Sequence, residues 1–117
     1  MYKTKIKEYG DMAPVFKEDN LFVLFGPSAP NELKDISFIH EVQVMDENFN
    51  LNDMNTLKIN DITFNIDKVG SEAHNNLMEL GHISVYLNNE DILPGAIAIS
   101  GNELPDLDVG DILIFEE

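Results

Sequence analysis

The sequence has no cysteine and no arginine. Without cysteine there is no disulfide, no thiolate metal site and no sulfur nucleophile, a composition suited to a reducing compartment. Without arginine there is no planar fork to grip phosphate or guanine in two-point fashion. Long apolar runs are missing as well: no stretch approaches the 18 or so residues of a membrane span, and the first residues do not form a basic, then apolar, secretion signal. A soluble, cytoplasmic protein with no direct membrane insertion is expected. Familiar catalytic signatures are also lacking. There is no G-x-S-x-G, no Walker loop and no G-x-G-x-x-G, so nothing supports a hydrolase, an NTPase or a dinucleotide enzyme. No H-E-x-x-H or H-x-H pair offers metal-ligand spacing, and neither metal nor cofactor is expected.

What is present in excess is negative charge. Twenty-two acidic residues against seven lysines give a formal net charge of -15 over 117 residues. Three of those lysines, Lys3, Lys5 and Lys7, crowd into the first seven residues, which leaves the remainder strongly acidic. Such a surface repels nucleic acid and anionic lipid and attracts a basic protein partner. The length fits one domain over 1–117, with no linker or internal repeat.

Short strand patterns dominate the chain. Tyr2 to Tyr9 alternates its lysines with Thr4, Ile6 and Glu8, the period-2 mark of a strand with one solvated face, and lysines of this kind protect a sheet edge. Asp11 to Asn20 holds Pro14 and suits a helical turn. Leu21 to Phe25 is a buried apolar strand, ended by the breakers Gly26, Pro27 and Pro30. Ile36 to Val44 reads as a strand whose even positions, Ile36, Phe38, His40, Val42 and Val44, form an apolar face with His40 as its one titratable member. Asp46 to Asn55 is polar and briefly imitates a calcium loop, but the position that needs glycine is Leu51 and the terminal acid is replaced by Leu57. Thr56 to Ile66 predicts a hairpin with Asn60-Asp61 in a type I′ turn, setting Ile59 opposite Ile62 and Leu57 opposite Phe64 on a shared apolar face. His82 to Leu87, Gly95 to Ser100 and Asp111 to Glu116 add three strands.

The best-punctuated stretch is Val69 to His82. Ser71 can cap a helix of about three turns over 72–80, Ala73, Leu77 and Leu80 form its apolar stripe, and Gly81 supplies the left-handed stop. One helix among many short strands predicts an all-β fold, a small closed or nearly closed barrel.

Three histidines carry any proton or phosphoryl chemistry. His40 is either a core histidine satisfied by hydrogen bonds or a nucleophile at a cleft. His74, mid-helix beside Asn75 and Asn76, reads as solvated. His82 lies just past the helix C-terminus, where the dipole favours its charged form. A three-histidine metal site would require folding to bring positions 40, 74 and 82 together.

S-F-I-H at Ser37 to His40, F-N-I-D-K-V-G-S at Phe64 to Ser71, N-L-x-E-L-G-H at Asn76 to His82, P-G-x-I-x-I-S-G at Pro94 to Gly101 and V-G-D-I-L-I-F-E at Val109 to Glu116 resemble, in order and spacing, the glucitol/sorbitol-specific enzyme IIA components of the bacterial sugar phosphotransferase system. The resemblance covers nearly the whole chain and implies a small β-barrel. It implies that His40, in the F-I-H motif, is phosphorylated by the histidine-containing phosphocarrier protein and passes the group to the IIB component of a IIB/IIC membrane assembly. His82 matches the family and is expected to support the site. Gly70 and Ser71, at the helix start, are expected to offer backbone amides to the phosphoryl group. Some members carry a second histidine two residues after the first, where this chain has Val42, and 46–55 matches poorly. The alternatives are a regulatory barrel of the same descent that carries no phosphate, and a small-ligand-binding barrel anchored by His40.

Overall fold

The computed structural model describes residues 1–117 and contains eight strands: β1 (Tyr2–Tyr9), β2 (Leu21–Phe25), β3 (Phe38–Met45), β4 (Thr56–Ile59), β5 (Ile62–Val69), β6 (Ile83–Leu87), β7 (Ala96–Ser100) and β8 (Ile112–Glu116). They close into a barrel in the order β1-β3-β2-β6-β7-β5-β4-β8, and β8 pairs back onto β1. The β2/β3 and β6/β7 pairs are parallel and the remaining pairs antiparallel. Closure removes every free sheet edge, so the lysines of β1 do not guard one. That strand lies between β3 and β8, its Tyr2, Thr4 and Ile6 turned inward and Lys3 and Lys5 outward.

The core follows the period-2 patterns. Leu57, Ile59, Phe64, Ile83, Val85, Ile97, Ile99, Leu113 and Phe115 are all fully buried. The β4/β5 hairpin has the predicted register, Ile59 facing Ile62 and Leu57 facing Phe64. Ile62 itself stands at the rim and is exposed, so the apolar face stops at Ile59. Of the two turn residues only Asn60 has a positive φ, 52°, so the turn is not type I′. Asn60 instead fastens β4 to β8, donating its N–H to the Ile112 carbonyl at 2.8 Å and accepting from the Ile112 N–H through Oδ1 at 3.1 Å.

Four connections contain helical segments, two of them α-helix. A short α1 (Asn31–Lys34) lies between β2 and β3, and 3-10 turns span Ala13–Asp19 and Leu51–Asp53. The main helix, α2 (Ala73–Leu80), buries Ala73 and Leu77. Leu80, assigned to the same stripe from spacing, lies exposed because the helix ends one residue later. The stop is as predicted: Gly81 has φ 67° and its N–H reaches the Leu77 carbonyl, the bond of an αL ending, while the His82 N–H reaches the Asn76 carbonyl. The start differs. Ser71 makes no capping bond, and Glu72 occupies the cap position in helical conformation with no side-chain bond. The amides are taken up by the β6–β7 connection and β7, Gly70 N–H by the Ala96 carbonyl and Glu72 N–H by that of Pro94. A backbone bond replaces the side-chain cap there.

Because Leu57 has no exposed surface and sits against the strand pairs on both sides, Leu57→Ala is expected to lower unfolding free energy by about 2–5 kcal/mol in urea titration. Val109→Ala, at an exposed turn, should stay within about 0.5 kcal/mol of wild type.

Candidate functional site

The site begins with an irregularity in the β1/β3 pairing. The register runs Ile6↔His40, Lys5↔Glu41 and Thr4↔Val42, then shifts before Lys3↔Val44, with a second shift between Ile6 and Glu8. His40 thus shares the inner face with Ile6, and Thr4 lies diagonally across from it. Beyond His40 the strand leaves the core. Glu41 to Met45 are all exposed, including Val42 at 43 % and Val44, so the uninterrupted apolar face predicted through Val44 ends at His40.

The His40 ring is 2 % exposed and held at both nitrogens. Nε2 lies 2.6 Å from the Gly81 carbonyl oxygen and Nδ1 lies 2.6 Å from Thr4 Oγ1. A carbonyl oxygen can only accept, so Nε2 carries the proton and donates. Burial pushes the His40 pKa below its ordinary value, and the bond to Gly81 offsets this only in part. The ring is therefore neutral, with its lone pair on Nδ1 accepting from the Thr4 hydroxyl.

Above this ring opens a cleft of about 230 Å³. Gly26, Pro27 and Ser28 form one wall, Leu77 to Gly81 of α2 and its cap another, and Tyr2, Glu41, Val42 and Met45 the rest. Its rim carries the exposed apolar side chains Val42, Met45, Met78 and Leu80. The charged groups among its lining residues, Glu41 and Glu79, are both acidic, and no lysine lines it. A larger cavity of about 310 Å³ opens between Tyr9, Phe22, Phe38 and Leu107, but its ionic groups are acids and Lys17, which pairs with Asp106 at 2.8 Å, and no histidine lines it.

The other predicted residues lie elsewhere. The Gly70–Ser71 amides stand at the start of α2 and His40 touches its end, a separation of about 12 Å for eight residues at 1.5 Å rise. Gly70 is glycine for a steric reason: a Cβ there would lie 2.2 Å from the Pro94 carbonyl oxygen. His82 follows Gly81 in sequence, but its ring stacks on Phe25 at 4.6 Å, with Nδ1 3.2 Å from the Leu24 carbonyl. Phe25 pairs with Ile39, the neighbour of His40 that points to the opposite face, so His82 covers the outside of the sheet and does not line the cleft. His74 is half-buried, not solvated; its Nδ1 accepts from the Leu51 N–H at 3.1 Å and its ring packs near Phe49. The three histidines do not converge, and no group of three or more candidate metal ligands is gathered anywhere. Pattern reading missed Thr4 and the Gly81 carbonyl. Thr4 left one signal, a hydroxyl on the inward side of an alternating strand; a backbone carbonyl leaves none.

One neutral imidazole, gripped at both nitrogens beneath a cleft with an apolar rim, can serve as a nucleophile for a group delivered by another protein. The arrangement lacks the convergent polar set that a small substrate requires. The comparisons agree with that class. The family described as PTS system glucitol/sorbitol-specific IIA component matches residues 1–114. The PTS system glucitol/sorbitol-specific EIIA components of Shigella flexneri and Escherichia coli (strain K12) are each 29 % identical over 121 residues, covering 99 % of this chain and 94 % of theirs. The crystal structure of a PTS system IIA component from Enterococcus faecalis V583 superposes with a TM-score of 0.81 at 23 % identity, covering 98 % of this chain and 99 % of that one, which shows the same fold. The chain belongs to the glucitol/sorbitol-specific IIA family of the phosphotransferase system. Its role is that of a phosphocarrier, a phosphotransferase component of that system.

The state of His40 has a measurable signature. In the unfolded chain the residue titrates at its ordinary 6.5, and in the folded protein at a lower value. Between the two the unfolded chain binds a proton that the folded protein does not. The stability contribution is complete above the unfolded value and is lost as pH falls through the folded one, with a limiting slope of about 1.4 kcal/mol per pH unit. Urea midpoints measured from about pH 7.5 down to about 5 should fall more steeply for wild type than for His40→Gln; parallel curves would show that His40 is not buried neutral.

Proposed function

We propose that His40 is the residue that carries the phosphoryl group, accepting it from the histidine-containing phosphocarrier protein and passing it to the IIB component of a glucitol/sorbitol transporter on the cytoplasmic side. The observation that carries this reading is the neutral, doubly held imidazole at the floor of the cleft. A neutral ring supplies a lone pair, and the apolar surroundings exclude the water that would hydrolyse a phosphoramidate.

Gly81 lines the cleft and Thr4 does not, so Nε2 is the nitrogen nearer the incoming group. Once the ring has left the Gly81 carbonyl and its proton has moved from Nε2 to Nδ1, the freed Nε2 lone pair forms the new N–P bond as the donor's N–P bond breaks and leaves its electron pair on the donor ring. Catalysis of this kind is positioning plus neutralisation of charge. With Glu41 and Glu79 at the cleft and no lysine lining it, the countercharge for the phosphoryl dianion comes with the partner protein. Ser28 and Tyr2 are the hydroxyl groups that line the cleft and can donate to it. The apolar rim of Val42, Met45, Met78 and Leu80 is the surface on which partners dock, one after another.

Transfer of labelled phosphate from phosphoenolpyruvate through the general phosphotransferase proteins tests the assignment. Wild type and folded His74→Gln and His82→Gln should take acid-labile, base-stable label, while folded His40→Gln takes none. Label persisting on His40→Gln would overturn the assignment, and unlabelled wild type would favour a barrel that no longer carries phosphate. Association offers an independent check. With a net charge of -15, the on-rate with a basic donor should fall as salt shortens the Debye length below about 8 Å. A rate indifferent to salt would point to a purely apolar encounter.

A further inference from the structure

We infer that Thr4 is the positioning residue for phosphoryl transfer at His40, and that its hydroxyl serves because it can reverse the direction of its hydrogen bond. The inference rests on the reading of His40 as the phosphorylated residue.

In the resting structure the proton sits on Nε2, because the Gly81 carbonyl 2.6 Å away can only accept. Thr4 Oγ1 then donates to Nδ1. This tautomer cannot react at the cleft, since the lone pair lies on the buried nitrogen and the cleft-side nitrogen is capped by proton and carbonyl. For Nε2 to bond to phosphorus, the ring must release the Gly81 carbonyl and change tautomer. As the ring swings off the carbonyl toward the cleft, water there takes the proton from Nε2 and returns one to Nδ1 before the ring settles back against Thr4, so the ring stays neutral. The Nε2 lone pair then attacks phosphorus, the donor N–P bond breaks, and the donor nitrogen keeps the electron pair. The product ring has phosphorus on Nε2 and a proton on Nδ1, and it carries positive charge beside the phosphoryl dianion. That Nδ1–H is a buried donor and needs an acceptor.

Thr4 Oγ1 is the polar atom in place to accept. Thr4 is fully buried, and its hydroxyl has no other side-chain partner. A hydroxyl donates to Nδ1 in one state and accepts from it in the other by turning about one bond, without moving a heavy atom. A carboxylate could not donate to the resting ring, and an ammonium could not accept from the phosphorylated one. The Gly81 carbonyl is the complementary half: it holds the ring unreactive until an arriving phosphoryl group displaces it.

The test uses the full chain with Thr4→Val and Thr4→Ser, together with histidine-ring nitrogen NMR and the labelled-phosphate assay. Thr4→Val matches the shape and removes the hydroxyl, leaving the Nδ1–H of the phosphorylated ring unpaired. It should fold and keep the Nε2–H tautomer at rest, and its rate of phosphorylation should fall roughly ten- to a hundredfold. Thr4→Ser should recover most of that loss, and a role limited to core packing would not produce such recovery. Wild-type spectra should show the proton on Nε2 before phosphorylation and on Nδ1 after it. Thr4→Val phosphorylated as fast as labelled wild type overturns the inference while leaving His40 as the carrier. Wild type that takes no label overturns both. If Thr4→Val fails to fold, wild-type spectra still decide, because phosphorus on Nδ1 or an unchanged tautomer overturns the assignment.

Discussion

The site depends on two stretches of backbone meeting without side chains between them. Gly81 ends α2 in the left-handed conformation, and a Cβ built there would lie 2.8 Å from the Cα and nitrogen of Gly26 and 3.2 Å from Nε2 of His40. A Cβ at Gly26 would in turn lie 2.7 Å from the Leu80 carbonyl oxygen. The Gly26 N–H donates to that same carbonyl at 2.9 Å. The end of the helix is thereby fastened to the end of β2, and its next carbonyl, that of Gly81, faces the imidazole. Glycine at 81 answers two demands at once, the positive φ that stops the helix and the close approach that brings its carbonyl to the ring.

Burial and charge act in opposite senses here, and the balance explains why the histidine is neutral in so acidic a protein. A net charge of -15 favours a protonated imidazole at long range, yet no carboxylate bonds to the ring. Desolvation acts at contact distance on a group with almost no exposed surface, while the distant acids are screened by water and salt. The same burial pushes the Tyr2 hydroxyl, in the wall of the cleft, up to about 12, so it remains a hydrogen-bond donor. The floor of the cleft therefore presents uncharged polar groups, and no lysine lines its walls to supply positive charge.

Local pattern carried much of the architecture. Alternation in Tyr2 to Tyr9, the apolar run Leu21 to Phe25 and the Leu57/Phe64 register are nearest-neighbour properties, and each element formed where its side chains predicted. The barrel fold and His40 as the one titratable member of the inward face of β3 were legible for the same reason. What failed depended on distant chain. Ser71 is a sound cap by identity, but the carbonyl of Pro94 bonds the Glu72 amide instead. His74 looks solvated on its helix until Phe49 and Leu51, more than twenty residues away, fold against it. His82 lies next to Gly81 in sequence but stacks on Phe25, which pairs with Ile39, and Ile39 and His40 point to opposite faces of β3 because one step along a strand reverses the face.

The register shift past Thr4 is what leaves a buried histidine at the floor of a cleft. Had β1 and β3 paired regularly to Met45, Val42 and Val44 would have continued the inner face and closed over the ring, and His40 would be a satisfied core residue. The shift between Lys3 and Thr4 bends β3 away, so Val42 and Met45 become rim and wall while Phe38 and His40 stay buried. Position 42 stands at the cleft, beside its mouth, where Val42 is 43 % exposed. A valine there adds apolar docking surface and no titrating group. The cleft of this chain therefore holds one imidazole and the two groups that fix it, the hydroxyl of Thr4 and the carbonyl of Gly81, and the proposed transfer rests on those three.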